Sequence, residues 1–146
     1  MSDIHFAETD EAIQRCFPAI HVLRPHLAEH AFVPQVKRQQ QQGYRLVFLQ
    51  DHAEVLSVAG FRILEFLAWG SVLYIDDLVT VPSEKRKGYG GRLLTWLIDY
   101  ARAHACDAVH LDTGYQRHDA HRLYLRHGFE LSSHHLALKL DILDTT

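Results

Sequence analysis

The strongest constraint on the fold is a block of three consecutive strand-like segments in the middle of the chain. The segments are YRLVFLQD (44–51), EVLSVAGFRILEFLAW (54–69) and SVLYIDDLVTV (71–81). β-Branched and aromatic residues are frequent in all three, and these residue types favour strands. The turn-forming pairs Asp51-His52 and Gly70-Ser71 separate them. Because connections this short join antiparallel neighbours, the block predicts an antiparallel meander.

Helical patterns precede this block. Residues 4–7 are a short candidate strand, and Asp10 is the predicted N-cap of a first helix, whose length Pro18 and Pro25 limit. A second helix is predicted from about Phe32 to Gln42.

The pattern alternates between helix and strand after the meander. Apolar residues recur at helical spacing over 91–104, and AVHLDT (108–113) is typical of a short buried strand. A further helix over 119–127 is expected to end at Gly128, and the alternating segment 130–140 predicts a closing strand. The order βαα, βββ, αβαβ indicates a mixed α/β domain.

Composition and charge exclude several classes of protein. A chain of 146 residues fits one domain, and its formal net charge of −3 argues against a general nucleic-acid binder. The two cysteines, Cys16 and Cys106, form no metal or disulfide motif, which favours a reducing, cytoplasmic setting. We expect neither a signal peptide nor a membrane span, because the first residues are acidic and no apolar run is long enough.

A glycine-rich basic loop, VPSEKRKGYGG (81–91), connects the meander to the next helix. Glycines allow a tight turn, and the first N–H groups of a helix have no partner inside it, so such a junction attracts anions. The loop therefore predicts a phosphate or pyrophosphate site. An ordinary turn with solvated lysines is the alternative. The P-loop and G-x-G-x-x-G patterns are both absent.

Two blocks in this order resemble the GNAT superfamily of N-acetyltransferases. Residues 85–90, KRKGYG, are similar to the family's [Q/R]-x-x-G-x-[G/A] pyrophosphate loop, with lysine at the first position. The segment HDAHRLYLRHGF (118–129) resembles its A-x-x-x-Y-x-x-x-G-F block. The resemblance implies a single GNAT-like domain over 1–146. It also implies a mixed α+β fold whose mostly antiparallel central sheet has about six to seven strands and four flanking helices.

The resemblance also implies acetyl-coenzyme A (acetyl-CoA) as the acyl donor. By this comparison its pyrophosphate would be held by Lys85, Arg86, Lys87, Gly88, Tyr89, Gly90 and Gly91. GNAT proteins separate the strand before this loop from its parallel neighbour, often at a bulge, and use the freed backbone to bind the pantetheine arm. In this chain the implied residues are Val79 and Val81, and a backbone N–H near Val79 would stabilise the oxyanion.

The implied reaction is transfer of an acetyl group to a primary amine by direct attack in a ternary complex. Tyr124 would protonate the departing thiolate, since a phenol of pKa about 10 stays protonated at neutral pH. Asp77 is the candidate base for the amine. Strand alternation predicts that Asp76 and Asp77 face opposite sides, and both could instead orient loops or bind a cationic substrate. Together with Glu65, these acids make a cationic amine reasonable.

Other interpretations compete with this one. Twelve histidines raise the question of a metal site, but H-x-x-H at 118–121 lacks the H-E-x-x-H pattern, so no metal is expected. A non-catalytic acyl-CoA-binding sensor or scaffold of the same fold is the main alternative. A local RNA-binding patch at residues 85–87 and Arg92 is less favoured. The predicted partner is a small-molecule or peptide amine, without nucleic acid or membrane, and a homodimer remains open.

Overall fold

The computed structural model describes residues 3–84, 87–114 and 118–140. The chain divides into two compact units, residues 1–111 and residues 112–146, and each is described here by itself.

The first unit is built on a five-stranded sheet. Its strands are β1 (Asp3–Phe6), β2 (Arg45–Asp51), β3 (Glu54–Phe66), β4 (Gly70–Thr80) and β5 (Ala108–Leu111), in the order β1-β2-β3-β4-β5. Neighbours from β1 to β4 are antiparallel, whereas β4 and β5 are parallel. The predicted meander is therefore confirmed.

The described residues of this unit form four α-helices. They are α1 (Asp10–Arg15), α2 (Phe17–Leu23), α3 (Glu29–Gln40) and α4 (Tyr89–Ala103), with a short 3₁₀ turn at Pro82–Glu84. The predicted first helix is two helices, because Pro18 has no N–H to continue the hydrogen-bond ladder of α1. Thr9, and not Asp10, is the N-cap of α1, since its hydroxyl accepts a hydrogen bond from the N–H of Ala12 at 3.1 Å.

The helices cover both faces of the sheet. Side chains of α1, α2 and α3 form one buried cluster with Leu46, Phe48 and Val58. On the other face Phe61 packs against Trp96 and Tyr100 of α4, with ring centroids 6.3 and 5.2 Å apart. Successive strand residues point to opposite faces, so both faces of the central strands are buried and the strands read as nearly continuous apolar runs.

The second unit contains α5 (His118–Arg126), which is followed by a turn at Gly128 with a φ of +91°. Residues 130–140 are described but form no strand, so the prediction of a closing strand is wrong. Its alternating leucines have no described ladder partner, and Leu136 and Leu138 are 91% and 85% exposed. The described sheet therefore has five strands, fewer than the six to seven expected.

No helix within the described residues has the length and apolarity that crossing a membrane requires.

Candidate active site

Strand β4 separates from β5 halfway along its length. The two strands pair from Val72 to Ile75, where Ile75 lies opposite Leu111. From residue 76 to residue 80, β4 pairs with β3 alone among the described strands. One edge of β4 is therefore open there, and the predicted separation is confirmed.

A β-bulge lies at the point of separation. Gly60 of β3 pairs with Asp77 and Phe61 pairs with Ile75, so Asp76 is the extra residue on β4. A bulge interrupts the strict alternation of side chains. As a result Asp76 and Asp77 both line one cavity, and the prediction that they face opposite sides is wrong.

Asp77 is held by two donors from distant parts of the first unit. Arg24, at the end of α2, donates from Nε to Oδ1 at 3.0 Å. Tyr44, just before β2, donates from its hydroxyl to Oδ2 at 2.8 Å. Burial, followed by the charge of Asp77, raises the pKa of the Tyr44 phenol well above its ordinary value. Tyr44 therefore remains a neutral donor over the physiological pH range.

Gly60 makes the position of Tyr44 accessible. A Cβ at residue 60 would overlap with the Tyr44 hydroxyl and with ring atoms behind it. Only a residue without a side chain lets the phenol pass across β3 to Asp77. The sequence pattern did not indicate that Tyr44 and Arg24 bind Asp77. It also gave no reason to connect Gly60 with Tyr44, although an isolated glycine within a strand is a recognised sign of close approach or of a bulge.

Asp76 is paired with a different arginine. Arg62 of β3 donates to both carboxylate oxygens, at 3.1 and 2.6 Å. Burial raises the pKa of Asp76, and the Arg62 hydrogen bonds and charge oppose that rise. The main-chain carbonyl of Asp76 accepts a further bond from Nη2 of Arg24 at 3.0 Å. Each carboxylate at the bulge thus has its own guanidinium.

The cavity beside this network has a volume of about 460 Å³ and lies within the first unit. This is within the range of small-molecule sites. The polar part of the lining comes from side chains around the bulge and from two glutamines of α3. The apolar part comes from other residues of α2, of α3 and of the segment between them. The lining residues are Ile20, Arg24, His26, Leu27, Phe32, Gln35, Val36, Gln39, Tyr44, Tyr74, Asp76 and Asp77.

The glycine loop has the geometry of an anion site. Gly88 is the N-cap of α4 with a φ of +85°, and no side chain caps the helix there. A Cβ at Gly88 would meet no described atom within 4 Å, so the space beside the helix start is open. Tyr89, Gly90 and Gly91 form the first turn, whose N–H groups carry the positive end of the helix dipole. These residues fit a pyrophosphate group.

The basic residues of the loop contribute unequally. Lys87 forms an ion pair with Glu84 at 2.8 Å, and its side chain is exposed. The Glu84 hydrogen bond raises the pKa of the Lys87 amine. Lys85 and Arg86, which the sequence analysis also assigned to the cofactor, lie outside the described residues.

The hydrogen bonds of β4 correct one detail of the predicted cofactor site. The N–H of Val81 donates to the carbonyl of Leu56 at 2.9 Å, and the carbonyl of Val79 accepts from the Ser57 hydroxyl at 2.9 Å. The main-chain groups of Val79 and Val81 therefore face β3. Because hydrogen-bonding direction alternates along an antiparallel strand, those of Leu78 and Thr80 face the open edge.

Tyr124 lies in α5 of the second unit. Its ring packs against Phe129, with centroids 5.7 Å apart, and its carbonyl accepts the Phe129 N–H at 3.1 Å. Gly128 supplies the positive φ that lets the chain turn back over the helix end. The A-x-x-x-Y-x-x-x-G-F block thus corresponds to a helix and its C-terminal turn, and the role of Tyr124 in proton transfer stays a prediction.

Two other kinds of site can be judged from the described residues. Among them, no group of three His, Cys, Asp or Glu side chains could hold a metal ion. Burial raises the pKa of the Cys16 thiol to about 12, so Cys16 is a poor nucleophile at neutral pH.

The comparisons with known proteins agree with this arrangement. The model of the acetyltransferase (GNAT) family matches residues 6–129. N-acetyltransferase YhdJ of Bacillus subtilis is 32% identical over 120 residues, which cover 81% of this chain and 84% of the relative. Aminoalkylphosphonate N-acetyltransferase of Salmonella typhimurium is 38% identical over 58 residues, covering 40% of this chain and 38% of the relative.

A solved structure supports the same fold. The aminoglycoside N-acetyltransferase AAC(6')-Iy in complex with CoA superposes with a TM-score of 0.83 at 13% identity, covering 96% of this chain and 95% of that structure. The edge of β4 beyond its pairing with β5, the start of α4 without a capping side chain and the family match over most of the chain lead to one conclusion. The chain belongs to the GNAT family and is an N-acetyltransferase that takes its acetyl group from acetyl-CoA.

Proposed function

We propose that the protein acetylates a small primary amine held in the cavity beside the β4 bulge. The observation that carries this proposal is the position of Asp76 and Asp77. They lie where β4 leaves β5, and they also line the cavity. The edge of β4 available to the acyl donor therefore begins at the wall of the acceptor site. The Salmonella relative is named as an aminoalkylphosphonate N-acetyltransferase, which is consistent with an amine acceptor.

The donor would be held at two places in the first unit. The N–H groups of Gly88, Tyr89, Gly90 and Gly91 would bind the pyrophosphate, with Lys85, Arg86 and Lys87 supplying positive charge. Leu78 and Thr80, in place of Val79 and Val81, would offer the main-chain groups for the pantetheine arm. Acetyl-CoA supplies an activated thioester. The Leu78 N–H is then the candidate donor to the oxygen that gains charge.

Two side chains are proposed to move protons. Asp77 would accept a proton from the substrate ammonium, directly or through water, after one of its two present donors gives way. Tyr124 would hold a proton on its phenol oxygen and deliver it to the leaving sulfur. Direct transfer needs no protein nucleophile, in keeping with the buried thiol of Cys16.

The proposal is tested by measuring binding and turnover together. Acetyl-CoA should raise the melting temperature of the protein, and thiol should be released when a panel of primary amines is added. Stabilisation without thiol release from any amine class would contradict the proposed reaction and would favour an acyl-CoA sensor or scaffold.

The organisation of the protein is also proposed. The family match crosses both compact units, which supports a single domain over 1–146. Four leucines, Leu131, Leu136, Leu138 and Leu140, are at least 85% exposed, and a homodimer would cover such apolar surface. Light scattering tests this, and a monomer at all concentrations would contradict it. The free thiols of Cys16 and Cys106 support a cytoplasmic location.

A further inference from the structure

Each carboxylate beside the cavity has a guanidinium counter-ion, so recognition of a charged group here depends on hydrogen-bond donors that are still unused. The carboxylate of Asp76 is paired with Arg62, and that of Asp77 with Arg24. A second positive charge on the substrate would therefore find no uncompensated carboxylate on this wall. Asp76 and Asp77 therefore offer less support for a cationic amine than their sequence positions suggested, because each of these two carboxylates already has a counter-ion within hydrogen-bonding distance.

Arg24 has hydrogen-bonding capacity left over. Its Nε and Nη2 donate to Asp77 and to the Asp76 carbonyl, while Nη1 has no acceptor among the described residues. The side chain lines the cavity and is 42% exposed. A guanidinium carries five N–H donors in a rigid planar fork that matches carboxylate and phosphonate oxygens. The two donations to Asp76 and Asp77 fix this fork in place before a ligand binds.

His26 lines the cavity from the same connecting segment, two residues after Arg24. No described residue hydrogen-bonds to its ring. A neutral imidazole donates from one nitrogen and a protonated one from both, so His26 can add a donor to an anion bound at Arg24. The apolar part of the lining includes Ile20, Phe32 and Val36 and suits a short hydrocarbon linker.

We propose that the acceptor is a small primary amine that also carries an anionic group, a carboxylate or a phosphonate, and that Arg24 binds this group. The inference rests on the proposed function, because it names the substrate class of the same site. Arg24 would act as a specificity-determining residue. Its ion pair with Asp77 would connect recognition of the anion to the proposed base.

Matched acceptors test this in a thiol-release assay with acetyl-CoA. We would compare 3-aminopropylphosphonate with 1-butylamine, and 4-aminobutanoate with 4-aminobutanamide. We expect kcat/KM to be at least about 10-fold higher for the anionic member of one pair, the size of effect that one charge-assisted hydrogen bond gives. Equal values within both pairs would overturn the inference and leave the proposed function intact. Absence of thiol release from all four would instead contradict the proposed function.

Substitution separates recognition from support of Asp77. Arg24→Gln should lower kcat/KM for the preferred anionic amine about 10-fold or more relative to its neutral partner. Arg15→Gln, which removes an arginine bound to Gln50 and Ala53, is the control and should leave the ratio unchanged. An equal loss for both members of the pair would assign Arg24 only to holding Asp77 and would overturn its recognition role.

Inhibition and direct binding measured on the wild-type enzyme give a test whose result does not depend on the folding of a variant. Propylphosphonate lacks the amine and should inhibit the wild-type enzyme competitively against the amine, whereas butanamide at the same concentration should not. Calorimetry with propylphosphonate should show binding to wild type and to Arg24→Lys, with weaker affinity for the variant because lysine lacks the planar fork. Inhibition by neither compound, or by both equally, would contradict an anion site.

Discussion

The hydroxyl of Tyr44 lies 2.8 Å from Oδ2 of Asp77 and donates a hydrogen bond to it. The two residues are 33 positions apart in the sequence, and the bond crosses β3 at Gly60. Tyr44 is buried at 3% exposure, so its ring is fixed by packing as well as by the hydrogen bond. The proposed base is therefore oriented by a rigid part of the sheet.

Gly60→Ala should destabilise the protein by about 1–3 kcal/mol, the range for an inserted group that a packed interior cannot accommodate. The new methyl group would overlap with the hydroxyl and ring atoms of Tyr44, whose side chain is buried and hydrogen-bonded to Asp77. Urea unfolding measures the change. Gly114→Ala is a suitable control, because a Cβ there meets nothing within 4 Å. An unfolding free energy for Gly60→Ala equal to that of wild type would contradict the packing described here.

Stability should depend on Tyr44 at high pH. The folded-state pKa of Tyr44 is raised, so its contribution is fully present below the unfolded value of about 10 and is lost as pH rises above it. Each pH unit between the unfolded-state and folded-state pKa should lower the free energy of unfolding by about 1.4 kcal/mol. Unfolding free energies at pH 8–11 for wild type and Tyr44→Phe should therefore converge above pH 10. Parallel curves would show that Tyr44 titrates normally.

Gly88→Ala should weaken coenzyme A binding about 10-fold. A left-handed residue other than glycine costs about 1–2 kcal/mol, and relief of that strain would turn the first N–H groups of α4 away from the pyrophosphate. Gly43→Ala is a matched control, since Gly43 also has positive φ and open space around it but lies after α3. Calorimetry should show normal affinity for that control. Equal affinities of the two variants for coenzyme A would show that the loop at Gly88 does not contribute to binding.

Tyr124→Phe should lower kcat by about 100-fold or more while leaving the Kd for acetyl-CoA nearly unchanged, as expected for loss of a general acid. Tyr100→Phe serves as the comparison, because Tyr100 belongs to the aromatic cluster under α4. Steady-state kinetics and calorimetry separate the two quantities. Normal turnover by Tyr124→Phe would contradict the assignment of Tyr124 as the general acid.

Asp77→Asn should show a defect that depends on pH. At neutral pH the substrate is an ammonium and needs a base, so kcat should fall by about 100-fold. Near pH 10 a primary amine loses its proton to solvent, and the defect should shrink to a few-fold. A constant defect across pH 7–10 would mean that Asp77 only orients Arg24 and Tyr44.

Local sequence patterns correctly predicted those parts of the fold that depend on residues close together in the sequence. The meander follows from three strand-like runs joined by tight turns, and Gly128 was expected just after the last helix, where the chain takes a positive φ. The prediction of a closing strand at 130–140 was wrong even though the sequence alternates there. A strand exists only where a partner forms a ladder with it, and no sequence pattern reports the partner.

The active site shows the same contrast between features encoded locally in the sequence and features that depend on distant residues. The sequence alone established the glycine loop and the resemblance to the family, because both lie in short contiguous segments, and the separation of β4 from β5 was implied by that resemblance. Tertiary structure alone decided that Asp76 and Asp77 share a cavity and that Arg24, Tyr44 and Arg62 bind them. A single bulge reverses the side-chain alternation, and hydrogen-bond partners up to 53 residues apart meet only when the sheet and helices pack.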